Sequence, residues 1–158
     1  MKTIDEWLTL YARDHQNPTN KLIHWVCVPV ILFSVFGLLM SIPFPVVLNG
    51  WINVASIVYI FALAFYFRLS ISIFLGMIVI GILFFTTNRF LAINILPNIG
   101  LTLWQFSLIL FVIAWIFQFI GHKLEGQKPS FFEDVQFLLI GPIWLLSFVY
   151  KKIGVQYN

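Results

Sequence analysis

Long apolar runs separated by short polar breaks set the organisation of the chain. Four stretches, at 23–42, 51–67, 69–85 and 101–121, approach the roughly 20 apolar residues with which a helix crosses a bilayer. Pro43 and Pro45 close the first, and Asn49-Gly50 completes the turn. Arg68 alone divides the second from the third, which predicts a tight helical hairpin, and Asn94, Pro97, Asn98 and Gly100 mark the loop before the fourth. Ahead of the spans, residues 1–16 predict a short helix. Thr3 and Glu6 have capping-box spacing, and Ile4, Trp7, Leu8 and Tyr11 fall on one stripe. The segment is too short and charged to span, so it is expected along the interface, with Trp7 and Tyr11 at headgroup depth. Asn17-Pro18 is expected to end it.

Residues 131–150 read differently. Ser130 and Glu133 repeat the capping-box spacing, but Gly141-Pro142 interrupts the apolar run. A re-entrant or interfacial helical hairpin is expected there rather than a fifth span. The fold class is therefore an all-α integral membrane helical bundle, forming a single membrane domain over residues 1–158.

Composition agrees, with 61% hydrophobic and only 9% charged residues and 18 phenylalanines. Soluble domains average roughly 45–50% apolar and about 25% charged residues. The net charge of +3 comes with no basic cluster, so no nucleic-acid partner is expected. Membrane lipids are the expected surroundings. Asp5, Glu6, Arg13 and Asp14 leave no apolar signal region at the start, so the first span is expected to stay as an anchor. With four spans, Lys2, Arg13, Lys21, Arg68, Lys123, Lys128, Lys151 and Lys152 share one side and Arg89 is alone opposite. A fifth span would move Lys151 and Lys152 across. The positive-inside rule favours four spans with both termini cytoplasmic, and the Ile-, Asn- and Phe-rich usage points to a bacterial inner membrane.

All three histidines lie in two polar segments, His15 to Pro29 and Gln118 to Pro129, that emerge on this same side. Pro18 breaks the helix between His15 and His24, so the chain can fold back with His24 in the first turn of span one. Gln118, His122 and Glu125 share a helical face if the fourth span continues past Gly121. Imidazoles suit iron or zinc, and Glu125, Gln118 and Asn20 would then orient the rings or add ligands. A histidine wetted at an interface needs no such purpose, and the residues alone leave both readings standing. Asn53, Gln105, Asn88 and Asn94, in or near the spans, are expected to hydrogen-bond between helices. Cys27 reads as a small buried hydrophobe.

The pattern H-x-x-P-x-N-x-x-x-H-x-x-x-V-P, here His15, Pro18, Asn20, His24, Val28 and Pro29, resembles the N-terminal signature of a small family of membrane 2-hydroxy fatty acid dioxygenases. Gln118-Phe119, Gly121-His122 and the stretch from Glu125 to Pro129 resemble its second signature, with Glu125 three residues after His122. Gly141-Pro142, the apolar run after it and Lys151-Lys152 also fit. The resemblance implies Fe(II)-dependent α-oxidation, in which dioxygen is consumed and a 2-hydroxy acyl substrate is shortened by one carbon. It makes His15, His24 and His122 the iron ligands, and it would place the protein in the endoplasmic reticulum if eukaryotic. Phe148 is a departure, since some relatives carry an acidic residue near it. A zinc-dependent lipid amide or ester hydrolase, and a non-catalytic transporter or assembly protein, are the competing readings.

Overall fold

A computed structural model describes residues 2–13, 15–44, 51–126 and 131–157, with side chains from Leu138 onward in the last segment. Six α-helices follow in order: α1 (Ile4–Arg13), α2 (Pro18–Met40), α3 (Val54–Leu69), α4 (Ile71–Phe90), α5 (Leu103–Glu125) and α6 (Phe131–Ile153). There is no strand among the described residues. The Pro45 and Asn49-Gly50 turn, Lys128 and the Ser130 cap fall outside them.

Local chemistry explains most boundaries. Thr3 and Glu6 make the expected reciprocal cap, Thr3 N–H donating to Glu6 Oε2 at 2.7 Å and Glu6 N–H to Thr3 Oγ1 at 3.3 Å. Asn17 Oδ1 accepts from the N–H groups of Thr19 and Asn20, and Pro18 takes the first position of α2, where its missing N–H costs nothing. Pro18 thus opens α2 rather than ending α1, which stops at Arg13, and His24 falls in the second turn. Asn53 caps α3 with Ser56, and Gln105 caps α5 with Thr102. Asn94 bonds back to Phe90 O. Gln105 and Asn94 satisfy their own helices instead of bridging between helices, and Asn53 takes part in its own helix cap. Asn88 does bridge, donating to Phe33 O of α2 at 3.2 Å. Ser70 serves as both the C-cap of α3 and the N-cap of α4, which makes the expected hairpin tight. Beyond α4 the chain continues through a π-helical turn, Leu91–Ile95, and a 3-10 turn, Leu96–Ile99, so this span is longer than its apolar run predicts.

Among the described residues three helical runs are long and apolar enough to cross a membrane: Pro18–Met40, Ile71–Ile99 and Leu103–Glu125. Val54–Leu69 is equally apolar but shorter. The burial pattern belongs to lipid. On α5 the buried positions are Ser107, Ala114, Gln118 and Gly121, while Ile116 and Phe117 face outward. Small and polar groups inside with large apolar ones outside would be costly in water and suits a bilayer.

The C-terminal segment corrects the expectation of a broken hairpin. α6 runs unbroken for 23 residues with Pro142 inside it. Ile140, Ile143, Trp144 and Leu145 are buried against α1, α2 and α4. Proline removes one helical hydrogen bond, and a helix packed against its neighbours in a bilayer tolerates this because those neighbours and local backbone adjustment re-satisfy the freed group. The stripe of α1 packs on the same helix, and Tyr11 is buried within the protein.

Candidate metal centre

α2 and α5 form the most extensive helix pair and run antiparallel, so the start of α2 meets the end of α5. His24 and Asn20 project from the first and His122 and Glu125 from the second. His15 comes from the link between α1 and α2. All three rings converge: His15 and His24 centroids lie 4.3 Å apart, His24 and His122 5.2 Å, and His15 and His122 5.7 Å. One ring nitrogen from each lies within 4.8 Å of the others. His15 and His24 are buried, and His122 is half-buried.

Backbone carbonyls orient two of the rings. His15 Nδ1 lies 2.6 Å from Tyr11 O, and His24 Nδ1 lies 2.9 Å from Asn20 O. A carbonyl only accepts, so both Nδ1 atoms carry the proton, and in the neutral rings both Nε2 atoms are bare lone pairs. Those two Nε2 atoms sit 2.9 Å apart. Two acceptors at that distance repel unless a positive charge lies between them. Two nitrogens about 2.1 Å from one ion and at right angles would be about 3.0 Å apart, so the pair fits cis ligands of a first-row metal. The widest separation exceeds the roughly 4.2 Å that such bonds can span, so binding would draw the rings together by about half an ångström. Donation of the second ring N–H to a carbonyl is the usual support of a metal-bound histidine.

Glu125 and Asn20 build the frame. Glu125 Oε1 accepts from Gln16 N–H at 2.6 Å and Asn17 N–H at 3.0 Å, and Oε2 accepts from Asn20 Nδ2 at 2.9 Å. Both carboxylate oxygens are thus engaged in clamping the His15 link to α5. Gly121 permits this approach, because a Cβ there would collide with Asn20 Oδ1. Gln118 is buried one turn before His122, and its Oε1, like Asn20 Oδ1, has no hydrogen-bond partner among the described residues.

The aromatic cover was not foreseen. Tyr11 stacks on His15 at 4.2 Å with the planes 7° apart, and Trp144 of α6 lies 5.7 Å from the same ring. The four-residue spacing from Tyr11 to His15 is the one signal in the sequence, while Trp144 is reached only through the tertiary fold. Phe148 packs on Trp144 at 4.9 Å and on Trp25 at 5.9 Å.

Comparison with known proteins bears on this arrangement. The profile of the Mpo1-like family, described as 2-hydroxy-palmitic acid dioxygenase Mpo1-like, matches residues 1–153. The chain belongs to that family. It is 33% identical over 149 residues to the 2-hydroxy-palmitic acid dioxygenase MPO1 of Saccharomyces cerevisiae, a match that covers 93% of this chain and 79% of the yeast protein. No solved structure matches the chain. The Mpo1-like match takes in both histidine segments and the α6 helix whose Trp144 closes the site.

Proposed function

We propose that the chain is an Fe(II)-dependent dioxygenase that shortens 2-hydroxy fatty acids by one carbon at the cytoplasmic face of its membrane. The observation that carries this reading is the pair of Nε2 lone pairs held 2.9 Å apart by two Nδ1–H donations to carbonyls, with His122 beside them. Family membership supplies the reaction class. When bound, iron would supply dioxygen activation and an anchor for the substrate's carboxylate and 2-hydroxyl.

His15, His24 and His122 hold the metal in this account and leave part of its coordination open. Asn20 and Glu125 are positioning residues: they fix the link that carries His15. Tyr11 and Trp144 keep water from the inner side of the His15 ring. Gln118 offers a buried amide oxygen that suits the proton of the 2-hydroxyl. Lys21 and Lys123, on the two helices at the same end, attract the carboxylate as it leaves the headgroup layer. In the overall change one dioxygen is consumed, the bond between the carboxyl carbon and the 2-carbon breaks, the carboxyl carbon leaves as carbon dioxide, the 2-carbon becomes the new carboxyl and one water is formed.

The test is oxygen uptake by anaerobically purified, Fe(II)-loaded protein in detergent. Uptake with 2-hydroxypalmitate, but not with palmitate, and a product one carbon shorter are expected. Hydrolysis of a lipid amide or ester by a zinc-loaded sample, without oxygen use, would replace this reading.

A further inference from the structure

An apolar groove of about 230 Å³ opens between α2, α4 and α6, and its α2 lining starts within one helical turn of His24. On α2 it runs from Trp25 to Leu32, about 10 Å along the helix axis. Its near end adjoins the metal centre through covalent neighbours. Trp25 follows His24, and Val28 lies one turn further along α2. Across the groove, Pro142 follows Gly141, and a Cβ on Gly141 would lie 3.1 Å from the hydroxyl of Tyr11 and 3.3 Å from Val28. Tyr11 is the ring stacked on His15. The aromatic series Trp144, Phe148 and Trp25 links the cover of His15 to the groove's rim.

Its lining is wholly apolar, and both prolines that lie inside helices, Pro29 and Pro142, belong to it. Trp25 and Val149 on its rim are exposed, so the groove is a trough open along its side rather than a closed tunnel. A trough of that length holds only the first part of a long acyl chain.

We infer that this trough seats the part of the substrate's acyl chain nearest its head and leaves the remainder in the bilayer, so that the protein selects for a straight, unbranched chain near the 2-carbon and not for total length. The inference rests on the 2-hydroxy acyl reading above. Catalytic efficiency then rises with chain length until the trough is filled and stays level beyond it. A methyl branch a few carbons from the head is rejected, and one near the tail end is tolerated.

The experiment uses the full chain in detergent with two photoreactive forms of 2-hydroxypalmitate. One carries a diazirine a few carbons beyond the 2-carbon, the other at the terminal carbon. The first is expected to label Leu32, Ile80 or Leu146, with 2-hydroxypalmitate as competitor and phosphatidylcholine without effect, while the second labels outside the trough. Leu32→Trp fills the trough, and Val149→Trp does so from its exposed rim should the first variant fold poorly. Either should raise KM for 2-hydroxypalmitate severalfold, because the chain loses its packing contacts with the lining, and leave KM for a short 2-hydroxy acid and the iron content unchanged. Labelling elsewhere, competition by phosphatidylcholine, or an unchanged KM in the well-folded variants would overturn the inference while iron and oxygen uptake persist. Loss of iron binding and uptake in the unmodified protein would instead remove the functional reading beneath it.

Discussion

The antiparallel pair α2 and α5 has two ends, and each buries polar side chains beside a glycine. At one end Asn20 crowds Gly121, and at the other Ser107 and Asn88 crowd Gly37, where an added Cβ would meet both side chains. The ends differ in what their polar atoms do. At the Gly37 end, Asn88 Nδ2 donates two bonds to backbone carbonyls, while Ser107 Oγ and Asn88 Oδ1 have no hydrogen-bond partner among the described residues. Small size is what that end requires, since it lets the helix backbones approach. At the Gly121 end, Glu125 ties together chain segments more than a hundred positions apart, and two ring nitrogens are held face to face. Burying such an arrangement is costly without a ligand to resolve it. One end of the helix pair is organised for packing and the other for binding.

Substitutions at the two ends should separate affinity from stability. The largest effect is expected for His24→Ala, which removes one of the paired nitrogens. Iron should fall from about one per chain to background, with helicity by circular dichroism unchanged. Glu125→Ala comes next. It frees the N–H groups of Gln16 and Asn17 and the Asn20 amide, and Fe(II) affinity in a chelator titration should weaken by roughly 10–100-fold, with partial recovery in Glu125→Gln. At the other end, Gly37→Ala should destabilise the protein by about 1–3 kcal/mol in a denaturant titration in detergent while leaving Fe(II) affinity unchanged. Ser107→Ala should have the smallest effect, within about 0.5 kcal/mol and without a change in affinity, because the hydroxyl it removes has no partner to lose. A fall in Fe(II) affinity from either substitution at the packing end would erase the distinction.

Much of this was legible from the residues alone. The apolar runs locate α2, α4 and α5, and the Thr3–Glu6 spacing locates the start of α1. Gln118, His122 and Glu125 do lie on one helix that continues past Gly121, and His15, His24 and His122 do converge. What was missed has physical causes. Gln105 finds its partner at the start of its own helix, because a polar side chain near a helix start competes effectively for orphan N–H groups. Gly141-Pro142 reads as a break on local chemistry, but tertiary burial of α6 carries the helix through it. The burial of Tyr11 is not legible, since a stripe on a short helix does not say what it faces, and its partner Trp144 lies far along the chain. The spacing of Glu125 from His122 points to the site but not to its role as a clamp, which depends on the backbone path of residues 16 and 17.

The most direct test of the account is the metal content of the unmodified protein and of His122→Ala, both purified anaerobically in detergent and supplied with Fe(II). About one iron per chain in the first and none in the second is the predicted result. Iron absent from both, or retained undiminished by His122→Ala, would contradict a metal centre built from the three histidines.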